Sequence, residues 1–98
     1  MPAKRQAKSV HVAFGAQLRL ARLSAGQTQQ SLAERADIDP VFVSFLENGH
    51  RQPSLVVLLA LERSLGLRPG ELARRTAKAL DGAGEDAKPA ATKRRKKA

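Results

Sequence analysis

The sequence predicts an all-α fold, a compact bundle of five short helices with a basic segment at each end. A Gly or Pro interrupts the central part of the chain roughly every ten to fifteen residues. Between these interruptions the apolar residues follow a helical period, and no stretch alternates as a strand would. The 98 residues suffice for one small domain and exclude a two-domain enzyme.

The first two helices are predicted over about residues 12–25 and 28–36. Gly26 stands where a left-handed residue would end the first helix. Thr28 is suited to cap the second helix through its hydroxyl group. The apolar positions that define the inner faces are Phe14, Leu18, Ala21 and Ala25 in the first helix and Leu32, Ala33 and Ala36 in the second.

The third helix, about residues 40–48, has the clearest start signal. Asp39 is a favourable N-cap and Pro40 occupies the first helical position, where a missing N–H costs nothing. Ile38 is placed to pack against Val43 as a hydrophobic staple. Gly49 is expected to end this helix.

The fourth and fifth helices are predicted over about residues 55–65 and 69–80. Ser54 is a suitable N-cap for the fourth, and Gly66 ends it. Pro69 is expected to open the fifth helix. These limits place the folded domain at residues 12–80.

The net charge of +9 is confined to the two ends of the chain. Residues 12–86 hold nine cations and all nine acids, so the predicted domain is neutral. Residues 1–11 are therefore predicted to be a flexible basic arm, and residues 81–98 an acidic hinge followed by a disordered basic tail. The charged residues of the two arms that we expect to contact DNA are Lys4, Arg5, Lys8, Lys93, Arg94, Arg95, Lys96 and Lys97.

The composition contains few of the side chains and motifs that catalysis, metal binding or membrane insertion requires. There is no Cys, only two His residues, and no Gly-rich phosphate loop. We therefore predict a non-enzyme without cofactor or metal. No apolar run approaches the roughly 20 residues of a membrane span, which favours a cytoplasmic, nucleoid-associated bacterial protein.

Residues 37–39 form a three-residue link between the second and third helices, as a helix-turn-helix requires. The run from Phe14 to Leu67 resembles the xenobiotic-response-element (XRE) helix-turn-helix family, the lambda-repressor-like fold of phage repressors and Cro proteins. The resemblance lies in TQQSLA at the start of the second helix, VSFLENG at the end of the third and PSLVVLLALERSLGL in the fourth.

The resemblance implies that the third helix enters the major groove of double-stranded DNA. The base-contacting residues carried over from the family are Pro40, Val41, Ser44 and Phe45. Pro, Val and Phe offer only apolar contact, chiefly to thymine methyl groups, so we expect weak direct readout with Phe45 favouring thymine. Alternatively, Phe45 packs over the core edge or in a subunit contact.

The resemblance also implies two contacts with the DNA backbone and one structural ion pair. The backbone contacts would come from Thr28, Gln29, Asn48, His50, Arg51 and Gln52. Arg22 and Glu47 match positions that form a partly buried ion pair in the family. Breaking such a pair should cost several kcal/mol, against about 0–1 kcal/mol for a surface pair.

The sequence departs from the family in the turn and in two apolar strips. Asp37 stands where Gly is common, and Asp tolerates a positive φ better than most residues. The apolar strips are expected to form a homodimer interface, because a small domain gains by covering such patches. Its residues are Leu20, Leu23, Val56, Val57 and Ala60.

The sequence therefore predicts a dimeric transcriptional regulator, acting as a repressor on an inverted-repeat operator. Two alternatives use the same fold. One is an antitoxin or coactivator-like module that binds a toxin or the transcription machinery. The other is an architectural protein that binds DNA largely without sequence specificity.

Overall fold

A computed structural model of the chain describes residues 2–85, and over these residues all of the regular secondary structure is α-helical. The all-α, five-helix prediction is confirmed. The helices are α1 (Pro2–Ser24), α2 (Gln29–Ala36), α3 (Pro40–Glu47), α4 (Leu55–Ser64) and α5 (Glu71–Glu85). The predicted cationic tail, including residues 93–97, lies outside the described residues.

Local capping interactions start the three central helices where the sequence predicts them. The Thr28 hydroxyl accepts a hydrogen bond from the Ser31 N–H at 2.9 Å. The Asp39 carboxylate accepts from Val41, and the Ser54 hydroxyl accepts from Val57, at 2.8 and 3.1 Å. Each cap satisfies a donor that the first helical turn leaves without a partner.

The turn between α2 and α3 confirms the expectation for Asp37. Its φ is 60°, the only positive φ of a non-glycine residue in the described part of the chain. The following residue, Ile38, donates its N–H to the Ala33 carbonyl at 2.9 Å and closes the end of α2. An aspartate therefore takes the left-handed position that Gly commonly fills.

The prediction for the start of the first helix was wrong. Helix α1 begins at Pro2 rather than near residue 12, so residues 2–11 belong to this helix. Pro2 occupies the first helical position, and the residues that follow are mostly strong helix formers such as Ala, Lys, Arg and Gln. The lack of large apolar residues in this segment does not prevent it from forming a helix.

The limits of the fifth helix also differ from the prediction. Helix α5 begins at Glu71, because Gly70 has a φ of 90° that a helical residue cannot adopt. It continues to Glu85 through the segment predicted to be an acidic hinge. Two glycines cost helix stability of about 1 kcal/mol each but do not by themselves end a helix.

The core is built from one fully buried leucine of each helix. Helix α1 packs against α3 and α5, while α2 packs against α3 and α4. The five leucines are Leu18, Leu32, Leu46, Leu61 and Leu72. Every helix thus contributes to one apolar centre, and α1 and α2 both pack against the inner side of α3.

Gly15 allows α1 to pack directly on the end of α3. A methyl group at this position would overlap the Leu46 carbonyl oxygen and would lie 2.6 Å from the Glu47 carbonyl oxygen. Both neighbours are backbone atoms, which cannot move away as a flexible side chain can. The glycine therefore sets the distance between α1 and the C-terminal end of α3.

Gly15→Ala should lower the free energy of unfolding by about 1–3 kcal/mol, because overpacking outweighs the gain in helix propensity. The measurement is urea denaturation. Gly82→Ala is the matched control, since a methyl group at Gly82 meets nothing within 4 Å. The control should gain up to about 1 kcal/mol in helix stability. Equal stability of the two variants would contradict the close approach.

Glu62 is a fully buried carboxylate that caps the following helix rather than pairing with a cation. Its two oxygens accept hydrogen bonds from the backbone N–H groups of Gly70 and Leu72, each at 2.8 Å. A carboxylate at this position also interacts favourably with the positive end of the α5 dipole. The residue thus links α4 to the start of α5.

Candidate nucleic-acid interface

The outward face of α3 carries the residues that the sequence predicts as base-contacting. Pro40, Val41 and Phe45 are exposed, and Ser44 is half-buried. On the inner face, Val43 and Leu46 are fully buried. The structure therefore leaves one continuous side of α3 open, and that side is mainly apolar.

A buried ion pair fixes the C-terminal end of α3 to α1. Arg22 Nε donates to Glu47 Oε2 at 2.6 Å, and Arg22 Nη2 donates to Oε1 at 3.0 Å. The two side chains are only 9% and 2% exposed. The hydrogen bond to Glu47 raises the pKa of Arg22, against the opposing effect of burial. The pair is bidentate, which fixes orientation as well as distance.

The same ion pair organises the beginning of α2. Gln29 donates its side-chain amide to Glu47 Oε1 at 3.1 Å, and Arg22 Nη1 donates to the Gln27 carbonyl at 2.9 Å. The Gln27 side chain in turn donates to the Ser64 carbonyl at 3.1 Å. Residues from α1, α2, α3 and α4 therefore meet in one polar network.

Thr28 and Gln29 stand at the N-terminus of α2, as the sequence predicts for a DNA backbone contact. The Thr28 hydroxyl caps the helix, so as a contact to DNA it would act as a donor while it accepts from Ser31. Gln29 is half-buried and oriented by its bond to Glu47. The first-turn N–H groups of such a helix attract anions whatever the side chain.

The loop that follows α3 presents the other predicted backbone-contacting residues. Asn48, His50, Arg51 and Gln52 are all exposed. Gly49 reverses the chain with a φ of 75°, and the His50 N–H donates to the Phe45 carbonyl at 2.9 Å. The loop is therefore folded back onto the end of α3.

Helix α1 supports this loop from the other side. His11 Nε2 lies 3.2 Å from Gln52 Oε1, and a methyl group at Gly49 would lie 3.0 Å from Val12 Cγ2. Sequence reasoning missed His11, because its partner is 41 residues away. The Pro at position 2 was the signal that α1 reaches far enough to make this contact.

The N-terminal basic segment is part of α1. Lys8 is exposed, while Lys4 and Arg5 lie in its first turns. The segment ends at His11, which contacts Gln52 in the loop after α3. None of the helices described over residues 2–85 is long and apolar enough to cross a membrane.

The apolar strips predicted as a dimer interface are only partly exposed. Leu20, Leu23 and Val56 are more than half exposed. Val57 and Ala60 are partly buried and pack against the core. Residues 55–61 are apolar all round the helix, and periodicity therefore could not identify the outer face. The other exposed leucines of α4 are Leu55 and Leu59.

Comparison with known proteins identifies this arrangement. A family profile described as helix-turn-helix matches residues 18–72, which is more than half of the chain. The sequence has no significant match among curated proteins.

Three solved structures are similar in fold and in sequence. The restriction-modification controller protein C.AhdI from Aeromonas hydrophila has 39% identity and a TM-score of 0.62, covering 63% of this chain and 94% of its own. One structure of the clp gene regulator ClgR from Corynebacterium glutamicum has 33% identity and a TM-score of 0.69, covering 79% and 84%. A second has 30% identity and a TM-score of 0.66, covering 71% and 91%.

The family match spans α2, the turn at Asp37 and α3, which are the elements that build the open face described above. The chain therefore belongs to the XRE-type helix-turn-helix family of DNA-binding transcription regulators.

Proposed function

We propose that this protein is a homodimeric repressor that occupies promoter DNA with α3 in the major groove. The observation that carries the proposal is the open face of α3, flanked by the N-terminus of α2 and by the exposed loop containing Arg51. The short helix α2 packs against α3 and leaves such a face of α3 free to enter a DNA groove. A protein that acts on the chromosome in this way works in the bacterial cytoplasm.

The outward residues of α3 would contact the bases. Pro40, Val41 and Phe45 offer apolar surface to thymine methyl groups, while the Ser44 hydroxyl can donate or accept. None of them has the paired donor and acceptor groups that distinguish guanine or adenine strongly. Specificity would therefore depend on a few thymines and on the spacing of two half-sites.

Cationic and polar groups would hold the protein to the phosphates. The backbone contacts come from the N-terminus of α2 and from the loop after α3, with Arg51 as the main cation. Lys4, Arg5 and Lys8, together with the tail, would add contacts that do not depend on sequence. Each phosphate neutralised steepens the dependence of log K on log salt by about 0.9.

A dimer would place two α3 helices about 34 Å apart, one turn of DNA, so the operator would be an inverted repeat. The support is the exposed apolar surface of Leu20, Leu23 and Val56. The C.AhdI and ClgR structures are described as a controller protein and a gene regulator, which supports a regulatory role for this chain.

Footprinting on the DNA upstream of the protein's own gene tests the proposal. We expect protection of two half-sites one helical turn apart. Arg51→Ala should weaken binding about tenfold, similarly on all sequences, and reduce the salt slope by about 0.9. Arg63→Ala is the matched control, since it removes another exposed cation, from the last turn of α4.

No protection of any duplex, even at low salt, would contradict the proposal. Uniform protection without half-sites would indicate an architectural protein instead. Specific co-purification with a toxin or a polymerase subunit, without DNA binding, would favour the protein-interaction alternative.

A further inference from the structure

The ring of Phe45 lies under the side chain of Arg51. The guanidinium carbon of Arg51 is 5.4 Å from the ring centroid, within the range of a cation–π contact. The His50 ring approaches the same phenyl ring, with centroids 6.3 Å apart and planes inclined by 49°. Phe45, on the outer face of α3, thus forms a small cluster with the side chains of His50 and Arg51.

The backbone around this cluster is held at several points. The His50 N–H donates to the Phe45 carbonyl, and the Gly49 N–H donates to the Leu46 carbonyl at 3.1 Å. Gln52 contacts His11 of α1 on the far side of the loop. Because the residues on both sides of Arg51 are anchored, the ring needs to restrict only the side chain of Arg51.

Among the residues that the structure describes, no carboxylate forms an ion pair with Arg51. In the part of the chain that the structure describes, the ion pairs involve Arg22, Arg74 and Arg75, and not Arg51. The nearest acidic residue in sequence, Glu47, is taken by Arg22 and Gln29. An oriented, exposed and unneutralised guanidinium group is suited to bind an oxyanion.

We propose that Phe45 is a positioning residue, which orients the Arg51 guanidinium toward a DNA phosphate at the C-terminal end of α3. The inference rests on the proposed function and refines it. Holding the long arginine side chain before binding reduces the conformational entropy that is lost on binding. The aromatic ring on α3 therefore contributes affinity on every DNA sequence, through Arg51.

A double-mutant cycle on DNA affinity tests this role. Phe45→Leu removes the ring but keeps an apolar side chain. Because Phe45 is 37% exposed, the change should disturb folding little, and a thermal melt checks this. We expect Phe45→Leu to weaken binding about two- to fivefold on operator and random duplexes alike, the factor of an exposed cation–π contact. In an Arg51→Ala background the same change should no longer weaken binding to random duplexes.

Two further variants separate this role from simple packing. Phe45→Trp should restore or improve binding, since Trp is the best cation–π partner. Val41→Ala is the matched control, because it shortens another exposed apolar residue of α3 and should be additive with Arg51→Ala. In the free protein, the NMR signals of the Arg51 side chain should lose their ring-current shift in Phe45→Leu.

Additive effects of Phe45→Leu and Arg51→Ala would overturn the inference while leaving the proposed function intact. A loss confined to one base pair would do the same, and would assign Phe45 to base reading alone. If the wild-type protein binds neither duplex, the proposed function fails and the inference fails with it.

Discussion

Arg22→Ala should lower the free energy of unfolding by about 3–5 kcal/mol, because it leaves the buried carboxylate of Glu47 without its cation. Glu47 would keep only the hydrogen bond from Gln29, and the Gln27 carbonyl would lose its donor as well. A domain of this size has a total stability of about 4–12 kcal/mol. The variant should therefore be close to unfolding, as measured by urea denaturation and a thermal melt.

Arg74→Ala is the matched control for this prediction. Arg74 donates to Glu71 at 3.0 Å, but its side chain is 72% exposed. Water screens this pair, and its removal should cost at most about 1 kcal/mol. The pKa of Glu71 is lowered mainly by its hydrogen bond from Arg75, so the carboxylate keeps a partner in this variant. Similar melting temperatures for Arg22→Ala and Arg74→Ala would contradict the prediction.

The double variant Arg22→Met with Glu47→Leu separates burial of a lone charge from loss of the ion pair itself. Replacing both partners by apolar residues of similar size removes the cost of an unpaired buried charge. We expect the double variant to recover most of the stability lost in Arg22→Ala. Gln29 would then lose its orienting acceptor, so DNA binding should recover less fully than stability.

The features that sequence reasoning predicted well depend on neighbouring residues. The caps Thr28, Asp39 and Ser54 each bond to an N–H two or three positions further on, so the signal and its partner lie in the same short segment. The same holds for the left-handed turn at Asp37. The limits of α2, α3 and α4 consequently agree with the prediction to within one residue.

Apart from the Arg22–Glu47 pair, which the family resemblance implied, features that depend on distant partners were not predicted. Gly15 meets the α3 backbone about 30 residues away, and the loop after α3 is supported by His11. The outer face of α4 could not be identified from a segment that is apolar on all sides. In each case the deciding contact is made in the tertiary structure, and the local pattern is compatible with more than one arrangement.

Glu62 is the clearest example, because a carboxylate within an apolar helix looks unfavourable until its partners are known. A neighbouring cation such as Arg63 would be the expected partner. The structure instead gives it two backbone N–H groups at the start of α5, Gly70 and Leu72. Both oxygens of the buried carboxylate accept a hydrogen bond, and removing the carboxylate leaves the buried N–H of Leu72 and the partly buried N–H of Gly70 without this acceptor.

Glu62→Ala should therefore lower the free energy of unfolding by about 2–4 kcal/mol, from the two lost charge-assisted hydrogen bonds and the cavity left behind. Glu62→Gln should fall between alanine and wild type, because an amide presents one accepting oxygen and cannot satisfy both N–H groups.

Glu34→Ala is the matched control, since Glu34 is an exposed helical glutamate and should change stability by less than about 0.5 kcal/mol. Hydrogen exchange gives the local measure: the amides of Gly70 and Leu72 should lose protection in Glu62→Ala, while the amide of Ser31, capped by Thr28, should lose no more protection than the drop in global stability accounts for. Unchanged protection of the Gly70 and Leu72 amides would show that α5 starts without the carboxylate.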